Sequence, residues 1–273
     1  TDSQGNEVWN QTFESLSGQL PQYGYSLAES VRQTEDNGYI ITGRSSLGGF
    51  LIKTDSQGND EWFQILGEDL AGSSIQQTTD GGFIITGKIE DMDGQDVLLF
   101  KTDSQGNEEW NQRFNSDCGS ATDYGYSVQQ TTDGGYIIAG VGQIICNNYD
   151  VWLIKTDSQG NEEWNQGFGG SNGDYGESVQ QTADGGYIIT GGTYSYGNGG
   201  SDVWLIKTDY NGNEEWNQTF GGSDIEYGYS IQQTTDEGFI IAGYTNSYGN
   251  GGDDVWLLKV GDYSGPVWHV STT

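Results

Sequence analysis

The stretch Asp202-Val-Trp-Leu-Ile-Lys-Thr-Asp-Tyr-Asn-Gly-Asn-Glu-Glu-Trp216 decides the fold, because it contains two strand-forming runs on either side of a tight turn. Residues Val203 to Lys207 are mainly β-branched, aromatic or aliphatic, a composition that favours a strand. Residues Asp209 to Asn213 supply Asx side chains, which bond to nearby backbone, and a glycine, which accepts a positive φ. Residues Glu215 to Phe220 then resume a strand, so the stretch predicts a β-hairpin.

This hairpin recurs along the chain with little change, and a tryptophan marks each copy. The tryptophans are Trp9, Trp62, Trp110, Trp164, Trp216 and Trp268, which are 48 to 54 residues apart. Internal repeats of this period are typical of solenoids, propellers and other arrays of one supersecondary unit.

Each repeat contains four strand-like runs, which we name A to D in chain order. In the third repeat they are residues Ser127 to Thr131, Tyr136 to Gly140, Asp150 to Lys155 and Glu162 to Phe168. No stretch has a sustained i, i+3, i+4 apolar pattern, so the sequence predicts almost no helix. Four antiparallel strands in about 50 residues are typical of a propeller blade, and runs A to C occur five times. We therefore expect an all-β, five-bladed β-propeller with four-stranded antiparallel blades.

We expect one closed propeller domain over residues 1–273. Its repeats cover about residues 1–53, 54–101, 102–155, 156–207 and 208–259, followed by a partial repeat over 260–273. Run D occurs six times, so one outer strand is surplus, and either Val8–Phe13 or Pro266–Val270 completes the last blade. The other copy is a tail or an edge that is open to another molecule.

The motifs of the repeat carry a family resemblance. The hairpin Val-Trp-Leu-Ile-Lys-Thr-Asp-Ser-Gln-Gly-Asn-Glu-Glu-Trp resembles the PQQ-like propeller repeat, in which an Asp-x-x-x-Gly turn precedes a tryptophan. With Trp-Asn-Gln-x-Phe-Gly-Gly and Asp-Gly-Gly-Tyr-Ile-Ile-Ala-Gly, the full repeat is similar to tandem repeats of large secreted surface proteins of methanogenic archaea and some bacteria. The resemblance covers essentially the whole chain and implies a propeller outside the cell or on its surface. Quinoprotein dehydrogenases of similar blade type generally have eight blades, so the resemblance supports architecture and not quinone chemistry.

Composition and charge exclude several classes of partner. The net charge of −31 repels nucleic acid and anionic membranes. No apolar stretch approaches the roughly 20 residues of a membrane helix, so we expect no membrane insertion. The sequence opens in mid-repeat at Thr1 without a signal peptide, and we expect it to be a mature product or a fragment.

Alternating strand direction places the B–C and D–A loops on one face of the blades, and these loops hold nearly all the variation between repeats. Recognition is usually placed on variable loops of a rigid scaffold. The B–C loops of the fourth and fifth repeats supply the candidate ligand-binding residues Tyr194, Tyr196, Asn198, Tyr244, Asn246, Tyr248 and Asn250. Rings with amide groups suit sugars and proteins alike, whereas the alternative is glycine-rich turns whose tyrosines cover the blade ends.

A short acidic turn is the candidate metal site. Asp91, Asp93 and Asp96 lie within six residues around a glycine, which partly matches an oxygen-rich calcium loop. The alternative is a solvated acidic turn. Calcium is the one cofactor that we consider, and we expect no other.

Two pairs of residues are candidates for covalent modification. Cys118 and Cys146 lie in adjacent loops of the third blade and predict a disulfide, which would support an extracellular location. Two unrelated buried thiols are the alternative. Asn10 and Asn217 match the Asn-x-Thr glycosylation acceptor, although the motif is also part of the repeat.

Catalytic chemistry has few candidate residues. Near the starts of the A strands, the available carboxylates are Glu29, Asp123, Asp174 and Glu177. A glycosidase needs two carboxyls about 5 to 9 Å apart in an asymmetric site, and near-identical blades supply little asymmetry. The single histidine, His269, lies in a terminal run, so Ser-His-Asp chemistry is not expected.

The sequence therefore predicts a non-catalytic scaffold for adhesion, extracellular or on a cell surface, that binds a protein or glycan ligand through the variable loops. One alternative is a carbohydrate-binding lectin. The other is a structural subunit that self-assembles through its surplus terminal strand. Five lysines at the ends of the C strands are expected to pair with aspartates of neighbouring turns: Lys53, Lys101, Lys155, Lys207 and Lys259.

Overall fold

The computed structural model describes residues 4–13, 25–92, 94–116, 122–144 and 148–261, and every helix or strand element within them is a strand. The chain divides into two compact units, Thr1–Phe168 and Gly169–Thr273. The first unit contains three antiparallel sheets and the second contains two. The all-β fold with five propeller blades is thereby confirmed, whereas one domain over residues 1–273 stays a prediction.

The strands follow one another in chain order within each blade. The first blade contains β1 (Ser26–Gln33), β2 (Tyr39–Ser45), β3 (Gly48–Thr54) and β4 (Asp60–Gly67). The second contains β5 (Leu70–Gln77), β6 (Phe83–Asp91), β7 (Gly94–Thr102) and β8 (Glu108–Phe114). The third contains β9 (Tyr124–Gln130), β10 (Tyr136–Gly142), β11 (Asp150–Thr156) and β12 (Glu162–Phe168).

The second unit repeats this order. The fourth blade contains β13 (Asp174–Gln181), β14 (Tyr187–Thr193), β15 (Asp202–Thr208) and β16 (Glu214–Phe220). The fifth contains β17 (Glu226–Gln233), β18 (Phe239–Thr245) and β19 (Asp254–Val260), which form a three-stranded sheet. Pro266–Val270, one of the two runs that could supply a fourth strand, lies outside the described residues.

The C–D turns are built on the aspartate that begins each of them. In the third blade the Oδ1 atom of Asp157 accepts hydrogen bonds from the backbone N–H groups of Gln159 (2.8 Å) and Asn161 (2.9 Å). The side-chain amide of Asn161 donates to Oδ2 at 2.8 Å, and Gly160 takes a φ of 79°. The repeated Asp-Ser-Gln-Gly-Asn sequence therefore specifies this turn directly.

A buried lysine joins the two turns at one end of each blade. The side chain of Lys155 is only 3% exposed, and its Nζ lies 2.9 Å from both Asp133 of the A–B turn and Glu163 of the D strand. It also donates to the carbonyl oxygen of Thr156 at 2.8 Å. The predicted pairing of strand-C lysines with turn aspartates is confirmed in all five blades. In the fifth blade, Lys259 is 41% exposed.

Every A strand contains a β-bulge. The bulge lies opposite the glycine that ends the Ile-Ile-x-Gly motif in each repeat. In the third blade, Ala139 pairs with Ser127 and Gly140 with Gly125, which leaves Tyr126 as the extra residue. The extra residues in chain order are Glu29, Ser73, Tyr126, Glu177 and Tyr229. A bulge bends its strand and redirects a side chain, so these positions differ in their surroundings from the rest of strand A.

Apolar clusters lie between neighbouring blades within each unit. Residues from the first and second blades form one cluster, which includes Leu51 and Ile85. A D-strand tryptophan covers the edge of each contact: Trp62 packs against Phe83 with ring centroids 5.9 Å apart, and Trp110 packs against Tyr136 at 5.8 Å in the next blade. Aromatic rings of the D strands thus cover the edges of these apolar clusters.

The N-terminal run takes the place of a preceding D strand on the first blade. Trp9 packs against Tyr39 with ring centroids 5.7 Å apart, and its six-membered ring lies over Gly58, as Trp62 lies over Gly106 in the next blade. Asn10 donates to Glu7 at 2.6 Å, a contact that the true D strands repeat. Residues 6–13 are not part of a sheet, so Val8–Phe13 has the packing of a D strand without its ladder.

Candidate binding face

The B–C and D–A loops of the fourth blade are held by a buried carboxylate at the start of strand A. Asp174 accepts hydrogen bonds from the hydroxyls of Thr193 and Ser195, the latter at 2.7 Å, and from the backbone N–H of Gly170 at 2.9 Å. Both loops therefore converge on one fully buried side chain. Charge-assisted hydrogen bonds of this kind are stronger than neutral ones, so the loops are rigid where they leave the sheet.

Glu226 has the same position in the fifth blade. Its carboxylate accepts from the hydroxyl of Thr245 (2.8 Å) and from the backbone N–H groups of Ser247 (2.9 Å) and Gly222 (2.6 Å). Burial acts to raise the pKa of Glu226, but these hydrogen bonds outweigh it, and the pKa is lowered. Asp123 of the third blade is similarly occupied, because it accepts from the backbone N–H and hydroxyl of Ser116. Asp123 and Asp174, considered above as catalytic candidates, are thus loop anchors.

Two of the predicted ligand-binding tyrosines are also anchors. The hydroxyl of Tyr196 donates to the carbonyl oxygen of Gly169 at 2.8 Å, and its ring packs 5.3 Å from Trp204. Tyr248 repeats the arrangement in the fifth blade, with Gly221 at 3.0 Å and Trp256 at 5.6 Å. Both rings remain about half exposed. Each ring therefore covers the end of a blade, as one hypothesis expected, and also leaves one edge exposed to solvent, as a ligand-binding residue requires.

The predicted asparagines contribute mainly through their backbone. The N–H groups of Asn198 and Asn250 donate to Asp202 (2.8 Å) and Asp254 (3.0 Å), which closes the turns and leaves both side chains exposed. The N–H of Asn246 donates to the carbonyl oxygen of Ile225 at 2.9 Å. Its side-chain Oδ1 atom is buried and has no hydrogen-bond partner in the described part of the chain.

The remaining two predicted residues, Tyr194 and Tyr244, belong to a tyrosine cluster at the starts of the A strands. The cluster consists of Tyr175, Tyr194, Tyr227, Tyr229 and Tyr244. Tyr227 is its centre, with its ring centroid 5.2 Å from that of Tyr229, 6.3 Å from that of Tyr244 and 6.4 Å from that of Tyr175. Tyr175 in turn lies 6.3 Å from Tyr194. Tyr194 is 43% exposed and Tyr229 is 56% exposed, so the cluster presents two rings to solvent.

A carboxylate lies inside this cluster. Glu177 is the bulged residue of β13, it is partly buried, and its Oε1 accepts a hydrogen bond from the hydroxyl of Tyr227 at 3.0 Å. Burial raises the pKa of Glu177 above its ordinary value, and the Tyr227 hydroxyl opposes that shift. The pKa of Tyr229 is raised by burial and then by the charge of Glu177. The carboxylate and the tyrosines therefore form one electrostatic unit.

Sequence reasoning missed Tyr175, Tyr227 and Tyr229 as site residues, because it searched the loops and these tyrosines lie in A strands. The available signal was the Tyr-Gly-x-Ser motif, which begins three of the A strands with an aromatic residue. Tyr175 and Tyr227 are far apart in sequence and meet only because the fourth and fifth blades stack. Glu177 was identified as an acidic candidate, but its tyrosine surroundings were not foreseen.

The acidic turn, the cysteines and the glycosylation acceptors stay predictions. Asp91 and Asp96 lie in the β6–β7 hairpin, where their backbones pair with Gly94 and Ile89, while Asp93 lies outside the described residues. No group of three or more metal-binding side chains occurs in the part of the chain that the structure describes. Cys118 and Cys146 both lie outside that part.

The two predicted glycosylation acceptors are exposed on outer runs. The amide of Asn217 donates to Glu214 at 2.6 Å, as that of Asn10 does to Glu7. The Oδ1 of Asn217 also accepts from the indole N–H of Trp204 at 3.1 Å. Each asparagine therefore already has a structural role in the repeat, which is consistent with the motif's recurrence.

Across the described ranges, no helix is long and apolar enough to cross a membrane. No protein-family profile and no curated protein matches the sequence.

Solved structures provide a likeness in fold. The WD40 domain of Neurospora crassa Pan2 is 11% identical with a TM-score of 0.56, and the match covers 86% of this chain and 63% of that one. A protein of unknown function from Dyadobacter fermentans is 12% identical with a TM-score of 0.55, covering 84% and 75%. Another from Bacteroides caccae is 13% identical with a TM-score of 0.50, covering 74% of this chain and 64% of that protein. Identities this low concern the fold alone, and together with the five blades they identify the architecture as that of a β-propeller.

Proposed function

We propose that the chain is a non-catalytic recognition propeller, displayed outside the cell, that binds a protein or glycan ligand through the loop face of its fourth and fifth blades. The observation that carries this proposal is the tyrosine cluster. Asp174 and Glu226 fix the loops around it, and Tyr194 and Tyr229 are held exposed. Rigid, exposed tyrosines provide large contact area at low entropic cost, which is why binding surfaces are rich in them.

An adhesive role on a cell surface fits the rest of the molecule. The net charge of −31 keeps the chain soluble and directs it towards basic or neutral partners rather than nucleic acid. Ordered loops need little reorganisation on binding, so the face is suited to repeated, reversible contact.

A lectin is the second candidate, and the half-exposed edges of Tyr196 and Tyr248 favour it. Each ring stands beside a turn whose exposed amide, from Asn198 or Asn250, could bond to sugar hydroxyls. Aromatic rings with neighbouring amide donors and acceptors match the two faces of a pyranose.

A structural subunit is the third candidate. It is favoured by the N-terminal run, since Val8–Phe13 packs as a D strand but has no ladder partner in the described residues. Such an edge can add to a sheet of another molecule. Molecular mass measured by light scattering over a concentration series tests this candidate, which predicts concentration-dependent growth that ends when Val8–Phe13 is removed.

The binding face is tested with a matched pair of variants. Tyr194→Ser with Tyr229→Ser removes the two exposed rings, whereas Tyr210→Ser removes a ring that is 68% exposed in a C–D turn at the opposite end of the blade. Beads coated with each variant are scored for adhesion to cells of the producing organism, and each variant is applied to a glycan array. We expect the double variant to lose binding and Tyr210→Ser to keep it. Equal binding by the parent protein, the double variant and Tyr210→Ser would contradict the proposed face. Sugar-specific signals on the array would favour the lectin.

A further inference from the structure

One position of the B strand differs in chemistry between blades. It is the residue that follows the glycine of the Ile-Ile-x-Gly motif. This residue pairs with the strand-A residue two positions before the bulged one. In the first, second and fourth blades this residue is Arg44, Lys88 and Gly192. The first two are cations and the third has no side chain.

In the first blade the cation neutralises the bulged glutamate. The Nε of Arg44 lies 3.3 Å from Oε1 of Glu29, and Glu29 is the extra residue of the β1 bulge. The bulge thus places a carboxylate within reach of the B-strand position.

In the second blade the cation lies on a tyrosine of the next blade. The Nζ of Lys88 is 5.5 Å from the ring centroid of Tyr124, within the range of a cation–π interaction. Tyr124 occupies the same place in strand A as Tyr227 does in the fifth blade. The B-strand position therefore also faces an aromatic ring.

The fourth blade has both partners and lacks the cation. Glu177 is the bulged residue equivalent to Glu29, and Tyr227 is the ring equivalent to Tyr124. The B-strand position is Gly192, and the Tyr227 ring occupies the space that a side chain there would fill, because a Cβ on Gly192 would collide with the ring. Among the described residues, Glu177 takes part in no salt bridge, and its hydrogen bond comes from the Tyr227 hydroxyl.

We propose that Glu177, together with the neighbouring rings of Tyr227 and the exposed Tyr229, binds a basic side chain, lysine or arginine, of a partner polypeptide. The inference rests on the proposed function, since it names the chemistry that the same loop face recognises. The carboxylate supplies a charge-assisted hydrogen bond, and the tyrosine rings supply faces on which a cation or its alkyl stem lies. The pKa of Tyr229 and of Tyr244 is raised by burial and by further contributions that include the charge of Asp253, so a second carboxylate contributes to the field at the site.

Small capped amino acids test the site without knowledge of the partner. The probes are the Nα-acetyl, C-methylamide derivatives of lysine, arginine and norleucine, titrated by ligand-observed NMR. We expect the two cations to bind and norleucine, which matches the lysine stem without its charge, to bind at least about tenfold more weakly, a ratio typical of one lost charge-assisted contact. Tetramethylammonium is a fourth probe, and binding as tight as that of lysine would assign the site to small amines and overturn the polypeptide assignment.

Two variants locate the binding. Glu177→Gln keeps an acceptor for the Tyr227 hydroxyl but removes the charge, and should weaken lysine binding about tenfold. Glu29→Gln is the matched control, because Glu29 is already paired with Arg44, and should leave lysine binding unchanged.

Each result supports or overturns the proposal. Equal affinity for lysine and norleucine overturns it, as does full binding by Glu177→Gln. Loss of adhesion in the tyrosine double variant without any binding of the cationic probes would keep the proposed function and reject the basic side chain. Binding of the probes without adhesion to any surface would support the basic side chain as ligand and reject the proposed adhesive function.

Discussion

Gly140 lies against the carbonyl oxygen of Tyr124 so closely that a Cβ on Gly140 would collide with it. The β-bulge at Tyr126 causes this approach, because it brings the backbone of strand A over the paired glycine of strand B. The glycine of the Ile-Ile-x-Gly motif is thus required by the backbone of the neighbouring strand and not by its own φ.

Gly140→Ala should therefore lower the free energy of unfolding by about 3 kcal/mol, at the upper end of overpacking costs, because the colliding atom is backbone and cannot rotate away. Urea denaturation followed by tryptophan fluorescence measures the change. Gly261→Ala is the control, since a Cβ there meets no atom of the described residues within 4 Å. Similar stabilities for both variants would show that the bulge relaxes freely.

Two threonines at the same strand position differ in their hydrogen bonding. The hydroxyl of Thr86 donates to the carbonyl oxygen of Leu98 at 2.8 Å, whereas the buried hydroxyl of Thr190 has no partner in the described residues. Thr86→Val should cost about 1 kcal/mol through the lost bond. Thr190→Val should be neutral or stabilise by up to about 1 kcal/mol, because it removes an unpaired buried polar group. Thermal unfolding of the two variants compares them directly, and an equal loss in both would contradict the assignment.

The turn aspartates predict where acid unfolds the protein. For Asp36 a hydrogen bond from Lys53 is the largest cause of a pKa lowered to about 2. For Asp80 and Asp133 burial acts to raise the pKa, but hydrogen bonds from neighbouring threonines and lysines outweigh it, and the pKa is again about 2. A lowered carboxylate pKa stabilises the folded state above the unfolded value of 3.8 and loses that contribution as the pH falls to about 2.

We therefore expect the protein to stay folded at pH 4 and to lose stability steeply between pH 4 and pH 2. The contribution of each carboxylate is reduced by solvent screening, because these side chains are more than half exposed. Urea midpoints measured at half-unit pH steps test this, and Asp133→Asn should make the dependence shallower. If the urea midpoint instead decreases mainly at pH values above 4, groups other than these aspartates cause the acid sensitivity.

The two cysteines remain a prediction of the sequence. If Cys118 and Cys146 form a disulfide, the cross-link lowers the entropy of the unfolded chain. In the chain-entropy model this stabilises the fold by roughly 3 to 4 kcal/mol. We expect non-reduced, alkylated protein to carry no alkyl group by mass spectrometry, and the melting temperature to fall on reduction. Two alkylated thiols under non-reducing conditions would exclude the bridge and weaken the case for an extracellular location.

Local signals made the fold predictable, whereas packing between blades hid part of the site. The Asp157 turn depends on residues within four positions of one another, and the same short motif recurs throughout the chain. Likewise, Lys155 could be paired with a turn aspartate because strand C ends beside that turn. The contact of Tyr227 with Glu177 instead needs both a bulge and the stacking of two blades. The glycine of the Ile-Ile-x-Gly motif marks the bulge within one repeat, but no residue pattern within one repeat encodes the stacking.

Glu177 should make the folded protein less stable at neutral pH. Its pKa is raised by burial, so the folded state holds the proton more tightly than the unfolded state does. Stability contributed by this group is therefore greatest below its ordinary pKa of 4.5 and falls as the pH rises through the raised value. Glu177→Gln removes the buried charge while an amide oxygen can still accept the Tyr227 hydroxyl, so the variant should unfold at a higher temperature than the parent at pH 7.

This advantage should shrink towards zero below about pH 4.5, where the parent glutamate is also neutral. Calorimetric melting temperatures of the parent and variant at pH 7, 5.5 and 4 measure the difference, in which the many other titrating groups cancel. Glu29→Gln provides the comparison, because Glu29 is paired with Arg44 and its removal should not stabilise. A pH-independent difference, or a less stable Glu177→Gln at pH 7, would mean that the carboxylate is satisfied where it stands. The site would then have no unpaired charge to offer a basic ligand.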